Sequence, residues 1–255
     1  VRIRAIGVGV HDRWFIPADA RYPYPIGIEG VGIVERIGSA VHGFSEGARV
    51  MFVNSGQVKG GVWAEFSAVP GRALVPVPDA MEDQCAAALP VAGGTALASM
   101  RLLNLQPGER LFIAGASGAI GTLAVQLAIS QGCRVAASAS PGNHDYLHAL
   151  GAELAVDYRA ADWIEQTRQW ASGGVDAALA IQPGTGTDSM HAVRDGGRVV
   201  TVSGDQVTAA RGIDVQQVIV QTTNEELAWL ANEVVQGRVT VEVQRTYPFA
   251  NALNA

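Results

Sequence analysis

FIAGASGAIGTLAVQLAISQGCRVAASAS, residues 112–140, decides the architecture. A short apolar run ends at Gly115. Two more glycines follow at three-residue steps, Gly118 and Gly121, and a helix-period segment opens on them. A second apolar run then closes the stretch. Strand, glycine turn, helix and strand together aim backbone amides and a helix N-terminus at a pyrophosphate. Gly118 permits close backbone approach, and Gly121 permits close packing of helix on strand. Ala116, Ser117, Ala119 and Ile120 complete the candidate phosphate loop with Gly115. A tight strand-to-helix turn without a ligand is the bland alternative.

The alternation continues on the C-terminal side. "LAVDY", "VDAALAI" and "GRVVTVSG" read as further strands, separated by helix-period segments such as "NHDYLHALGA", "ADWIEQTRQWAS" and "TDSMHAVRDG". Strands spaced by helices imply a parallel sheet covered on both faces. Residues 1–75 have a different texture, rich in glycine, valine and proline, with short alternating runs in "GVGIVERIG", "ARVMFV" and "WAEFSAVP". After the helical "NEELAWLANEVVQGR", the stretch "VTVEVQRTYPF" returns to strand texture. The expected organisation is therefore a β-rich domain over 1–91 and 238–255, with a doubly wound α/β domain over 92–237 between its parts.

Composition narrows the function. The net charge of −6 argues against a nucleic-acid surface. Two cysteines, Cys85 and Cys133, suffice for neither a disulfide framework nor a four-thiolate zinc site, and a reducing cytoplasm is the expected compartment. No apolar stretch approaches the roughly 18–20 residues that span a bilayer. The chain starts without Met and stops inside the apolar pattern "FANALNA", so both ends are expected to be missing.

The second strand chooses between dinucleotides. Enzymes that use NAD place a carboxylate about 20 residues after the first glycine, on the ribose hydroxyls. Here that strand ends in Ser138, Ala139 and Ser140, whose serine hydroxyls can donate to a 2′-phosphate. The first acid beyond, Asp145, reads as a first-turn helix acid beside Asn143. NADPH (NADP+) is the expected cofactor.

Short-chain reductases also carry a glycine turn, but their spacing needs glycine at 119, where Ala stands. They also need a Tyr-x-x-x-Lys pair, and Lys59 is the only lysine, with no tyrosine four residues before it. "GIEGVGIVERIGSAVHGFSEGARV", "GGVWAEFSAVP", "AAALPVAGGTAL", "LQPGERLFIAGASGAIGTLAVQLA" and "LGAELAVDYR", in that order, resemble the medium-chain dehydrogenase/reductase superfamily over essentially all 255 residues. Within it the chain is most similar to the zinc-free quinone oxidoreductases, the zeta-crystallin group. The resemblance implies a Rossmann domain plus a GroES-like catalytic domain. Where zinc alcohol dehydrogenases place two cysteines and a histidine, this sequence has Gly9, Val91 and Ile28, none of which can bind Zn²⁺, so no metal is expected. His11, close to the first of these, reads as a polar pocket or surface residue.

The resemblance also places the reacting groups. It puts the nicotinamide near "VAGGTA", making Thr95 a candidate contact, with a helix N-terminal hydroxyl as the alternative. Ile181 and Gln182 after one strand, and Ser203 and Gly204 after the next, are expected beside the cofactor. Tyr158 matches a tyrosine that touches the 2′-phosphate. Arg159 either assists or is a solvated charge, and Asn143 stands where a phosphate-binding lysine is often found. Gly9 replaces a common asparagine, Trp14 a common tyrosine, and Tyr22 and Tyr24 are candidate proton donors or pocket walls.

The implied activity is zinc-independent hydride transfer from NADPH to a quinone or an α,β-unsaturated carbonyl. Such acceptors carry their own electron sink and need no Lewis acid. Two alternatives stand beside it: an enoyl-thioester reductase with Arg13 and Arg21 at its mouth, and a non-catalytic NADPH-binding redox sensor. The resemblance also implies a homodimer paired through edge strands, for which "RGIDVQQVIVQ" is the candidate.

Overall fold

The computed structural model describes residues 1–13, 16, 18–21, 23–55 and 60–254, the side chains of 11, 13, 253 and 254 excepted. The chain forms two compact units, Val1–Gly94 with Thr223–Ala255, and Thr95–Thr222.

The first unit is built on an antiparallel sheet of β1 (Arg2–Ile6), β2 (Glu29–Ile33), β3 (Arg49–Val53) and β4 (Leu74–Pro76), adjacent in that order. Val50, Phe52, Val62 and Leu74 fill its interior, as the alternating apolar residues require. Helix α1 (Asp83–Ala87) follows, and then α2 (Pro90–Leu103), of which Thr95 onward is counted in the second unit. "WAEFSAVP" forms no full strand. Ile3 N–H donates to Glu65 O and Ser67 N–H to Val1 O, but only Arg2 and Phe66 make a bridge.

The second unit holds six parallel strands in the order β10-β9-β8-β5-β6-β7. Along the chain these are β5 (Arg110–Ala114), α3 (Ala119–Ser130), β6 (Arg134–Ala139), α4 (His144–Ala149), β7 (Leu154–Asp157), α5 (Trp163–Trp170), β8 (Val175–Ala180), α6 (Gly186–Ala192), β9 (Val193–Thr201) and β10 (Asp214–Gln217). Consecutive side chains Phe112 and Ile113 are both fully buried, so both faces of β5 are covered. Phe112 stacks on Trp163 of α5 with ring centroids 5.0 Å apart. From β5 the chain winds one way to β7, then crosses back and winds the other way from β8. The strand order therefore reverses between β5 and β8, where open α/β sheets bind ligands.

Three expectations are corrected. The segment read as helix over "TDSMHAVRDG" stops at Ala192, and residues 193–196 lengthen β9, with a register shift opposite Val175 and Ala177. "VTVEVQRTYPF" forms no strand. Its side chains are mostly exposed, and it joins neither sheet. The return to the first unit, expected at 238, falls at 223.

The last difference comes from contacts made far along the chain. Helix α7 (Asn224–Val235) is held by the first unit. Asn224 Nδ2 donates to the carbonyls of Arg72 and Leu74, each at 3.0 Å, and Leu230 is fully buried, with its Cδ2 beside Gly93. Thr223 caps the helix reciprocally: its Oγ1 accepts from Glu226 N–H at 3.2 Å, and the Glu226 carboxylate accepts from Thr223 N–H at 2.8 Å. Thr223→Ala is expected to cost about 1 kcal/mol, read as a fall of about 2–4 °C in thermal melting. An unchanged melt would show that the cap contributes nothing.

Candidate dinucleotide site

The turn after β5 sits at the reversal of strand order. Gly115 has φ +80°, and a Cβ there would lie 2.7 Å from Gln182 Cγ, the first side chain of the loop after Ile181. Gly118 is the N-cap of α3. A Cβ added to it would meet only Gly115 O, at 3.6 Å, so its missing side chain leaves open space above the turn. Gly121 is the opposite case: its Cβ would fall 2.5 Å from Ala116 Cα and from Gly115 O, so helix and turn touch backbone to backbone. Ala116 is buried and its N–H donates to Ser138 O at 3.2 Å, while Ser117, Ala119 and Ile120 stand on the accessible rim.

The end of α3 fits a pyrophosphate. No side chain caps it, its first turn holds no acid, and the twelve-residue helix presents its positive dipole end to the space over Gly118. The ligand's charge would complement that end, and backbone amides would supply the donors.

Along the edge towards β7 lie the residues expected at the ribose. Ser138 is buried inside β6, whereas Ser140 is half-buried and accepts from Asn143 Nδ2 at 3.3 Å. The Tyr158 ring is about half exposed, with the Arg159 guanidinium 5.0 Å above it. Two further groups escaped the sequence reading. His144 Nε2 sits 3.2 Å from Ala139 O. Asp157 lies beside Ala139 in the β6–β7 register, with its Oδ1 accepting from Arg159 N–H at 3.0 Å. Asp157 belongs to the neighbouring strand, so the sequence at the end of β6 carries no signal of it.

Towards β9, Ile181, Gln182, Ser203 and Gly204 all follow the carboxyl ends of adjacent parallel strands. Thr95 is buried within α2, and its carbonyl accepts from Ser99 Oγ at 2.7 Å. Tyr24, in the first unit, is half-buried, and burial followed by the Asp19 charge pushes its phenol up. Tyr22 and Trp14 lie outside the described residues.

The first unit also holds an acid that the sequence reading passed over. Glu29 opens β2 inside the apolar run "GIEGVGI" and is only 5% exposed. Val91 N–H donates to its Oε2 at 2.8 Å, and Gly7 packs against its side chain. Burial, opposed by the Val91 amide and reinforced by the Asp12 charge, raises its carboxyl to about 8. Asp12 is itself buried and accepts from Gly9 N–H at 3.2 Å. Among the described residues no three His, Cys, Asp or Glu side chains gather as metal ligands would, and no helix is long and apolar enough to cross a membrane.

A parallel sheet that reverses beside an uncapped helix end places the second unit in the dinucleotide-binding class of α/β folds. Comparison with known proteins adds the first unit. Residues 1–79 match the alcohol dehydrogenase GroES-like domain, and residues 150–255 match the zinc-binding dehydrogenase family. The chain belongs to the medium-chain dehydrogenase/reductase superfamily. It is 31% identical over 217 residues to the synaptic vesicle membrane protein VAT-1 homolog of Rattus norvegicus, covering 79% of this chain and 50% of that protein. It is 29% identical over 197 residues to the 2-methylene-furan-3-one reductase of Solanum lycopersicum, covering 74% and 49%. The chain thus spans about half the length of these curated relatives. Among solved structures, a putative NADPH:quinone reductase from Bacillus thuringiensis superposes with a TM-score of 0.87 at 25% identity, covering 100% of this chain and 83% of that one.

Proposed function

We propose that the protein is a zinc-independent, NADPH-dependent reductase acting on a quinone or an α,β-unsaturated carbonyl. One observation carries the cofactor half of this reading: the uncapped N-terminus of α3, packed onto its turn through Gly121 and open over Gly118. Bound there, the nicotinamide would supply a hydride. The first-turn amides of α3, at Ala119, Ile120 and Gly121, would hold the pyrophosphate. Ser140, Asn143, Tyr158 and Arg159 would face the 2′-phosphate, with the Asp157 carboxylate already engaged by the Arg159 amide. Ile181, Gln182, Ser203 and Gly204 would border the nicotinamide end, and Thr95 and Tyr24 are the candidate contacts for substrate.

The substrate half rests on the relatives and on Gly9, Ile28 and Val91, which offer no side-chain ligand for zinc. A quinone or enone reduced by hydride needs a proton and a dry pocket more than a Lewis acid. The second unit would bind the cofactor. Pairing of two copies along β10 would cover Ile219 and Val220, which are 72% and 54% exposed just past that edge strand. A monomeric mass in solution would overturn the dimer.

The test follows NADPH oxidation with ortho-quinones, para-quinones and 2-alkenals, with and without chelator, and with NADH in place of NADPH. The expected result is chelator-resistant turnover of one acceptor group, with kcat/KM at least about tenfold higher for NADPH than NADH, since charge-assisted bonds to the 2′-phosphate supply that margin. Binding of NADPH with no turnover of any acceptor would move the reading to the redox sensor.

A further inference from the structure

Asp205 stands four residues beyond the end of β9 and reaches across to the loop that follows β8. Its Oδ1 accepts from Gly184 N–H at 2.9 Å and from Ser203 Oγ at 3.2 Å, and its Oδ2 accepts from Gly186 N–H at 2.9 Å. The Gly184 amide above all, then those of Gly186 and Thr185 with the Ser203 hydroxyl, hold its carboxyl below the usual range against the opposing effect of burial. Donors of this number occupy the acceptor capacity of a carboxylate, so Asp205 has little left for a ligand. Its contacts act on the loop instead. Within that loop Thr185 Oγ1 donates to Gln182 O at 2.7 Å, and the Gln182 side chain fills the space beside Gly115.

We propose that Asp205 is a positioning residue of the dinucleotide site: it ties the turn after β9 to the loop after β8 and so holds Gln182 against the glycine turn. The two loops that border the strand-order reversal are thereby set in one geometry before the cofactor arrives, and the cost of ordering them on binding is removed. This rests on the dinucleotide reading above.

Asp205→Asn keeps the size of the side chain but turns one acceptor oxygen into an NH₂ group that faces an amide donor. In full-chain protein the expected result is NADPH binding weakened about tenfold, followed by cofactor fluorescence, with amide exchange at Gly184 and Gly186 accelerated by a similar factor. The Michaelis constant for NADPH rises while kcat at saturating NADPH stays, a split that general loss of stability does not produce. Asp195→Asn, which removes an exposed carboxylate paired with Arg211 in the same unit, leaves both readouts unchanged. Should Asp205→Asn not fold, Asp205→Glu, which keeps the charge but moves the carboxylate away from the Gly184 and Gly186 amides by one methylene, carries the same test at about threefold. Unaltered NADPH affinity in the variant, or fast exchange of both amides in the wild type, overturns the proposal. A wild type that binds no dinucleotide overturns it together with the reading beneath it, and is told apart by that failure.

Discussion

Gly121→Ala is expected to lower stability by about 2–3 kcal/mol and to weaken NADPH binding more than about a hundredfold. The added Cβ would stand 2.5 Å from Ala116 Cα and Gly115 O, and 2.6 Å from Ala116 O. All three are backbone atoms, so no flexible side-chain tip can move aside. Relief requires α3 to lift off the turn, but Leu123, Ala124, Val125 and Leu127 anchor the helix in the core. Whatever compromise the chain finds, the amides of the turn leave the positions that suit a pyrophosphate. Gly118→Ala is the matched contrast. Its Cβ would make only an ordinary contact at 3.6 Å, so melting should fall by only about 1–3 °C, the cost of replacing a glycine N-cap with Ala, while affinity falls because the methyl enters the space over the turn. Thermal melts and NADPH titrations of the two variants separate packing from ligand approach. A Gly121→Ala protein with wild-type melting and affinity would refute the close-packing argument.

Glu29→Gln is expected to stabilise the protein at alkaline pH and to flatten its pH dependence. The unfolded glutamate titrates near 4.5 and the folded one at about 8. Between those values the folded state keeps a proton that the unfolded state has released. Stability therefore falls as pH rises across that window. The contribution of this group is complete below about pH 4.5 and lost above about pH 8. The span corresponds to a change on the order of 5 kcal/mol. Glutamine retains an oxygen to accept from Val91 N–H but has no proton to lose, so near pH 9 the variant should exceed the wild type by several kcal/mol. Near pH 5 the two should lie close together. Denaturant titrations at pH 5, 7 and 9 decide the matter, and parallel pH profiles for the two proteins would sink the assignment.

Much of this was legible before any coordinates. The apolar runs at 110–115, 133–139 and 175–181 could be read as buried strands, and the three-residue glycine steps as a turn onto a helix, because strand period, helix period and glycine sterics are local properties. The same locality explains the misreadings. "VTVEVQRTYPF" has the alternation of a strand but joins no sheet, and "HAVRDG" has the period of a helix in a place where β8 draws Val193 into the sheet opposite Val175. Ser138, whose type and spacing suit a phosphate contact, is buried by the covered faces of the sheet, which no local pattern shows.

By itself, then, the sequence determined the two-part architecture, the strand-turn-helix that a dinucleotide would occupy, and the absence of ligating side chains at Gly9, Ile28 and Val91. Only the tertiary structure decided which unit holds α7, what Asp205 grips and why Glu29 keeps its proton. The deciding partners are far away along the chain: Asn224 with Arg72, Asp205 with Gly184, and Glu29 with Val91. A helix period or a glycine turn acts over a few neighbouring residues. Burial and hydrogen-bond satisfaction depend on which distant segments fold back together, and no local pattern encodes that.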